Sequence, residues 1–161
     1  MPKRNERRLK LLISRYQQRV FALVLHLIGG DRDKTYDICA SSFAEAMQAG
    51  SLLEQEEVFL TRVIRIAIKK SRATKTMPTS NELDFLDLPS SEKGPLHIVL
   101  KGLQALDFDA KALVLLRGQL NLLYRQIATI MRVSESDARI KTAQAHARLR
   151  KMIGDDLTPE N

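Results

Sequence analysis

Apolar residues recur at helical spacing along nearly the whole chain, and the period lapses over one long stretch, residues 73–94. Leu9, Leu12, Ile13, Tyr16, Val20, Leu23, Val24 and Leu27 fall at three- and four-residue steps, which predicts one amphipathic helix from about Asn5 to Ile28. Gly29 and Gly30 end it. The Asp31–Asp33 start signal opens a second helix that carries Tyr36, Phe43 and Met47 on its apolar face through to about Gln48. Ser51 and Glu54 have capping-box spacing for a third helix, which runs through Phe59, Val63 and Ile66 to about Arg72. From Ala73 to Gly94, Thr, Ser, Asn, acids and Pro78 and Pro89 replace the period, as in a linker. Its short apolar patch, Leu83, Phe85, Leu86 and Leu88, can lie on a partner or pack on either flank. Pro95 suits a first helical position, and further helices are expected at 95–106, 109–118, 123–131 and 135–153. No strand pattern competes. The expected fold is all-α: two small helical domains, residues 1–72 and 95–161, joined by a flexible linker, 73–94.

Charge narrows the partners. The chain of 161 residues carries a net charge of +7, an excess that favours polyanions through phosphate neutralisation. Residues 1–72 hold 14 Lys/Arg against 8 Asp/Glu, residues 73–94 hold 2 against 4, and residues 95–161 hold 10 against 7, so two basic blocks flank an acidic connector. The longest apolar stretch, Val20 to Ile28, contains His26 and falls short of the roughly 20 residues a bilayer-spanning helix needs. No membrane insertion is expected. The basic N-terminus is followed by Arg15, Gln17, Gln18 and Arg19 where a signal peptide needs an apolar segment, so export is not expected. A single cysteine, Cys39, has no disulfide partner and fits a reducing cytoplasm, as a small buried residue. No nucleophile–base pair, metal-ligand spacing or phosphate-cradling glycine loop appears, and His26, His97 and His146 stand far apart. The chain therefore reads as a non-enzyme without cofactor or metal.

The most informative segment is Leu123 to Ala143. Ile127, Ala128 and Met131 give one short helix an inward face, a tight turn follows at Arg132–Ser134, and Ser134 caps a second helix with Asp137 three residues on. This is the pattern of a helix-turn-helix, in which the small Ala128 lets two helices approach and the second enters the major groove. At 100° per residue, Ala138, Thr142, Ala145, Leu149 and Met152 form one buried stripe. Ser136, Ile140, Ala143 and Ala147 then face outward, flanked by Arg139 and Arg150 on one side and Gln144 and Lys151 on the other. Arg139 and Gln144 are the candidates to read base edges. Arg132, Lys141, Arg148 and Lys151 suit phosphates. An ordinary helical hairpin with a solvated basic face is the competing reading. Eight Lys/Arg against two acids between Arg117 and Lys151 weigh toward DNA.

In order and spacing these residues resemble the extracytoplasmic-function type of bacterial RNA polymerase sigma factor. The segments Leu103–Leu106, Ala112–Arg117, Gln126–Ser134 and Ala145–Arg150 are similar to the family's fourth conserved region, which binds the upstream promoter element. Tyr16–Phe21, Asp37–Glu45 and Phe59–Ala67 resemble its second conserved region. The resemblance implies core RNA polymerase and promoter double-stranded DNA as partners. It also implies a polymerase-clamp contact at Asp37, Ser41 and Glu45, and a promoter-melting helix bearing Phe59, Arg62, Arg65, Ile66, Lys69 and Lys70. Ala40 and Ser41 stand where the family carries a Gln–acid pair, Phe59 where it has a tryptophan, and Ile66 where it has an asparagine near a flipped base. The Gln48–Gln55 loop brings no aromatic residue, so stacking would fall to Phe59 or to polymerase itself. Two alternatives follow: a sigma-like decoy or adaptor that binds an anti-sigma factor or polymerase without melting DNA, and a stand-alone helix-turn-helix regulator.

Overall fold

The computed structural model describes residues 2–49, 55–74 and 95–157. The chain is all-α. The described residues form α1 (Pro2–Leu27), α2 (Arg32–Ala49), α3 (Glu56–Ala73), α4 (Pro95–Ala105), α5 (Phe108–Gly118), α6 (Tyr124–Met131) and α7 (Glu135–Leu157).

Local chemistry sets most of these boundaries. Past the end of α1, Gly29 and Gly30 adopt φ of 82° and 100°, a left-handed conformation open to glycine without steric cost. Asp31 starts α2 by accepting from the Lys34 N–H at 3.0 Å. Asp107 does the same for α5, accepting from the Ala110 N–H at 2.8 Å, and Ser134 for α7, accepting from the Asp137 N–H at 3.1 Å. Pro95 is the first residue of α4. The expected capping pair Ser51–Glu54 lies outside the described residues, as do residues 75–94 and the apolar patch Leu83, Phe85, Leu86 and Leu88. At the described start of α3, Gln55 makes no side-chain cap bond.

In the N-terminal half, α1, α2 and α3 pack mutually, and Val20, Leu23, Val24, Val63 and Ile64 are fully buried among them. In the C-terminal half, α7 packs against α4, α5 and α6 around Leu116 and Ile127. Each such side chain removed from water contributes about 1.5–3 kcal/mol. Two residues expected on the apolar side of α2 are placed otherwise: Tyr36 is 70% exposed and Met47 37% exposed. The inner face of α2 is filled instead by Thr35, Ile38, Cys39, Ser42, Phe43 and Ala46. Thr35 and Ser42 can be buried there because their hydroxyls donate to the carbonyls of Asp31 and Ile38, four residues back, at 2.6 Å each.

The two halves meet, with α1 against α5 and α3 against α6. At the first contact the Gln104 amide donates to the His26 carbonyl at 3.0 Å, while its oxygen accepts from the Lys111 ammonium at 2.9 Å. At the edges Arg72 pairs with Asp109 at 2.6 Å and lies over the Phe108 ring, and Arg125 pairs with Glu57 at 3.1 Å. Burial, and secondarily the Lys111 charge, pull the His26 imidazole below its usual 6.5. With the folded value below the unfolded one, its contribution is fully present above pH 6.5 and is lost as pH falls through the folded value. Thermal melts between about pH 8 and 5 should show declining stability, and His26→Gln should flatten that decline. An unchanged slope in the variant would remove His26 as its cause.

Candidate nucleic-acid interface

The site is built on α7. Ala138, Thr142, Ala145 and Leu149 are buried along one stripe, with Met152 half-buried behind them, as the 100° spacing requires. Three of the four buried side chains are small, so α7 lies close to α5 and α6. Ala128 on α6 is buried opposite, at 8% exposure. The other face of α7 therefore turns outward: Ser136, Ile140, Ala143 and Ala147 are all exposed, and Ile140 is exposed by 56% despite its size. Lys141, Gln144, Arg148, Arg150 and Lys151 are exposed around it.

Between α6 and α7 the chain turns at Arg132, whose φ of 56° and ψ of 48° are left-handed. The Val133 N–H donates back to the Ala128 carbonyl at 3.0 Å, which closes the end of α6. A left-handed residue other than glycine carries about 1–2 kcal/mol of strain, so Arg132 is a costly residue for the turn, and its side chain is exposed.

Arg139, the foremost base-reading candidate, is held in place. Its guanidinium lies 5.2 Å from the centroid of the Tyr124 ring and pairs with Glu135 at 3.1 Å. Arg117 lies over the same ring at 4.6 Å and donates to the Leu122 carbonyl at 2.8 Å. Sequence reasoning missed Tyr124 and Arg117 as positioning residues. The basic run starting at Arg117 was visible, but the stacking joins three elements and has no signature in spacing. Arg148 reaches Asp107 at 3.4 Å, beyond a strong ion pair.

On α3, Phe59 does not stand open for stacking. Its ring is buried, 8% exposed, and packs against Phe43 at 6.4 Å between centroids, because it falls on the face of α3 that meets α2. Ile66 is half-buried. Arg65 and Lys69 are exposed, while Arg62 reaches the Ala46 carbonyl at 3.5 Å. Lys70 pairs with Glu45 at 2.7 Å, so two residues expected to serve different partners hold each other. Asp37 is exposed, and Ser41 donates to the Ile38 carbonyl at 3.2 Å. Glu56, at the start of α3, accepts from the Tyr16 hydroxyl and from Arg15, and these bonds lower its carboxyl pKa.

Two concave features lie near these residues. A groove of about 610 Å³ between α1 and α2 is lined by Ile13, Phe21, Tyr36, Cys39, Phe43 and Met47, among others. Burial pushes the Cys39 thiol up to about 12, so it is an inert apolar wall rather than a nucleophile. A smaller cleft of about 340 Å³ separates α3 from α6. Among the described residues no group of His, Cys, Asp and Glu could hold a metal ion, and no helix is long and apolar enough to cross a membrane. The chain matches no protein-family model and no curated protein.

Replacing Arg132 with glycine relieves the turn, so Arg132→Gly should hold or raise stability in urea by up to about 1–2 kcal/mol. A loss of stability would mean that the arginine supports the turn itself.

Proposed function

We propose that this chain is a transcription initiation factor of the sigma type, docking on core RNA polymerase through α2 and binding duplex promoter DNA through α7. The observation that carries the reading is the α6–turn–α7 unit, taken as a helix-turn-helix. Its second helix buries a stripe of small residues and turns an exposed, basic-rimmed face outward. Ser136, Ala143 and Ala147 are short enough for the helix to approach base edges, and Ile140 suits a thymine methyl. Arg139 and Gln144 flank that line as base readers. Arg132, Lys141, Arg148 and Lys151 lie around it for phosphates.

Each neutralised phosphate adds about 0.9 to the log–log slope of affinity against salt, so duplex binding should weaken steeply as salt rises. Arg139→Ala should relax sequence preference, whereas Lys151→Ala should weaken all sequences alike. A salt-insensitive complex, or sequence-blind losses from both variants, would sink the base-reading role.

Promoter opening is the weaker part of the reading, and magnitudes say why. Freeing Phe59 to stack would expose a buried ring at about 1.5–3 kcal/mol. One stacked base returns about 1–3 kcal/mol. The exchange gains almost nothing, which favours the decoy or adaptor as the second reading. In vitro transcription with core polymerase over a genomic fragment library distinguishes them. A sigma factor should give discrete start sites and permanganate-reactive thymines. Polymerase binding without open complexes would select the adaptor, and no polymerase binding would leave the stand-alone regulator.

A further inference from the structure

We propose that the cleft between α3 and α6 is a binding site for a small phosphate-bearing anion, gripped from opposite walls by Arg65 and Arg125. The cleft encloses about 340 Å³, within the roughly 300–1,000 Å³ range of small-ligand sites. Arg62 and Arg65 line it from α3, and Arg125 and Gln126 from α6, against one carboxylate among the described residues, Glu57. Arg65 and Arg125 against the one described acid leave an excess of positive charge.

The donors are available. Arg65 is exposed and has no ion-pair partner among the described residues. Arg125 is tied only to Glu57, at 3.1 Å, with side chains 63% and 45% exposed, a pair of the kind worth about 0–1 kcal/mol. A phosphate accepting two parallel N–H bonds from a guanidinium makes a stronger contact than that pair. The Gln126 oxygen already accepts from the Leu123 N–H at 2.8 Å, which leaves its amide nitrogen as a donor. Thr61 and Thr129 donate to the carbonyls of Glu57 and Arg125 in their own helices, so recognition falls to guanidinium and amide groups, a set suited to phosphate oxygens. Arg125 and Gln126 also sit in the first turn of α6, at the positive end of its dipole.

No residue of α7 lines the cleft, so the site is separate from the proposed duplex face. It does use Arg62 and Arg65, which the sigma-type reading places on the promoter-melting helix. On that reading, a bound anion joins α3 to α6 and withholds those arginines, so it restrains promoter opening while duplex binding continues.

The test uses the full chain, with calorimetric titration of inorganic pyrophosphate at low ionic strength. Saturable binding is expected, weakened by about tenfold or more in Arg65→Gln and in Arg125→Gln and unchanged in Arg19→Gln on the exposed side of α1. Glu57→Gln removes the competing carboxylate and should tighten binding, a gain that misfolding cannot imitate. Absence of saturable binding, or equal losses in the Arg19 variant, overturns the site. Anisotropy with single-stranded and duplex oligonucleotides runs in parallel. If single strands need Arg65 and Arg125 while pyrophosphate does not bind, the residues are strand contacts and the small-anion site is wrong. If pyrophosphate binds as expected and no DNA does, the site stands and the sigma-type reading fails.

Discussion

The contact between the two halves governs which surfaces the molecule can offer. Each half is held by fully buried aliphatic side chains, Leu23 and Ile64 in one, Leu116 and Ile127 in the other, at about 1.5–3 kcal/mol apiece. The joint adds polar contacts at its edges. Its edges are the Arg72–Asp109 and Glu57–Arg125 pairs, all four side chains 45–63% exposed, and such pairs contribute about 0–1 kcal/mol each. Arg72 over Phe108 adds about 0.5–1 kcal/mol. Its inner part belongs to one apolar cluster that runs through both halves, and beside it Gln104 spans from the His26 carbonyl to the Lys111 ammonium. The exposed pairs are therefore exchangeable contacts at the rim of a shared apolar core. The joint brings Arg62 and Arg65 on one wall opposite Arg125 on the other.

What was legible in the sequence was what local geometry decides. The buried stripe of α7 follows from 100° per residue, and Ala138, Thr142, Ala145 and Leu149 all fall where that angle puts them. Asp31 and Ser134 act as caps, and Gly29 and Gly30 end α1, because each depends on atoms within a few residues. The misplacement of Tyr36 and Met47 has the opposite origin. α2 carries apolar residues on both sides, and periodicity cannot say which side α1 and α3 will cover. Phe59 stands, on the resemblance, where the family has a tryptophan, but its burial is set by Phe43 on another helix. Ion pairs such as Glu45–Lys70 were not legible, since any of several acids could meet any of several bases until the helices are packed.

The same reasoning separates restraint from occlusion on α7. Arg139 has partners, but they are of a kind that gives way. An i,i+4 pair with Glu135 is worth about 0.3–0.5 kcal/mol. On the proposed DNA-binding reading, so weak a pair would not keep Arg139 from a bidentate contact to guanine. Tyr124 need not let go, because a guanidinium stacked on a ring keeps its edge donors available, and the stack limits the rotamers that a base contact would otherwise have to freeze. Arg117, fixed on the same ring and on the Leu122 carbonyl, supports Tyr124 from the other element.

On α2 the balance runs the other way. Glu45 is engaged by Lys70 at 2.7 Å, and Ser41 spends its donor on the Ile38 carbonyl, so of the three residues expected to meet polymerase only Asp37 has neither contact. Beside it, Tyr36 and Met47 line an apolar groove that nothing in the described chain fills. Buried apolar surface supplies the energy of an association while exposed charges steer it, so the groove offers area and Asp37 can offer only orientation. On the proposed sigma-type reading, a docking contact centred on this groove accounts for more of the α2 surface than one centred on Asp37, Ser41 and Glu45.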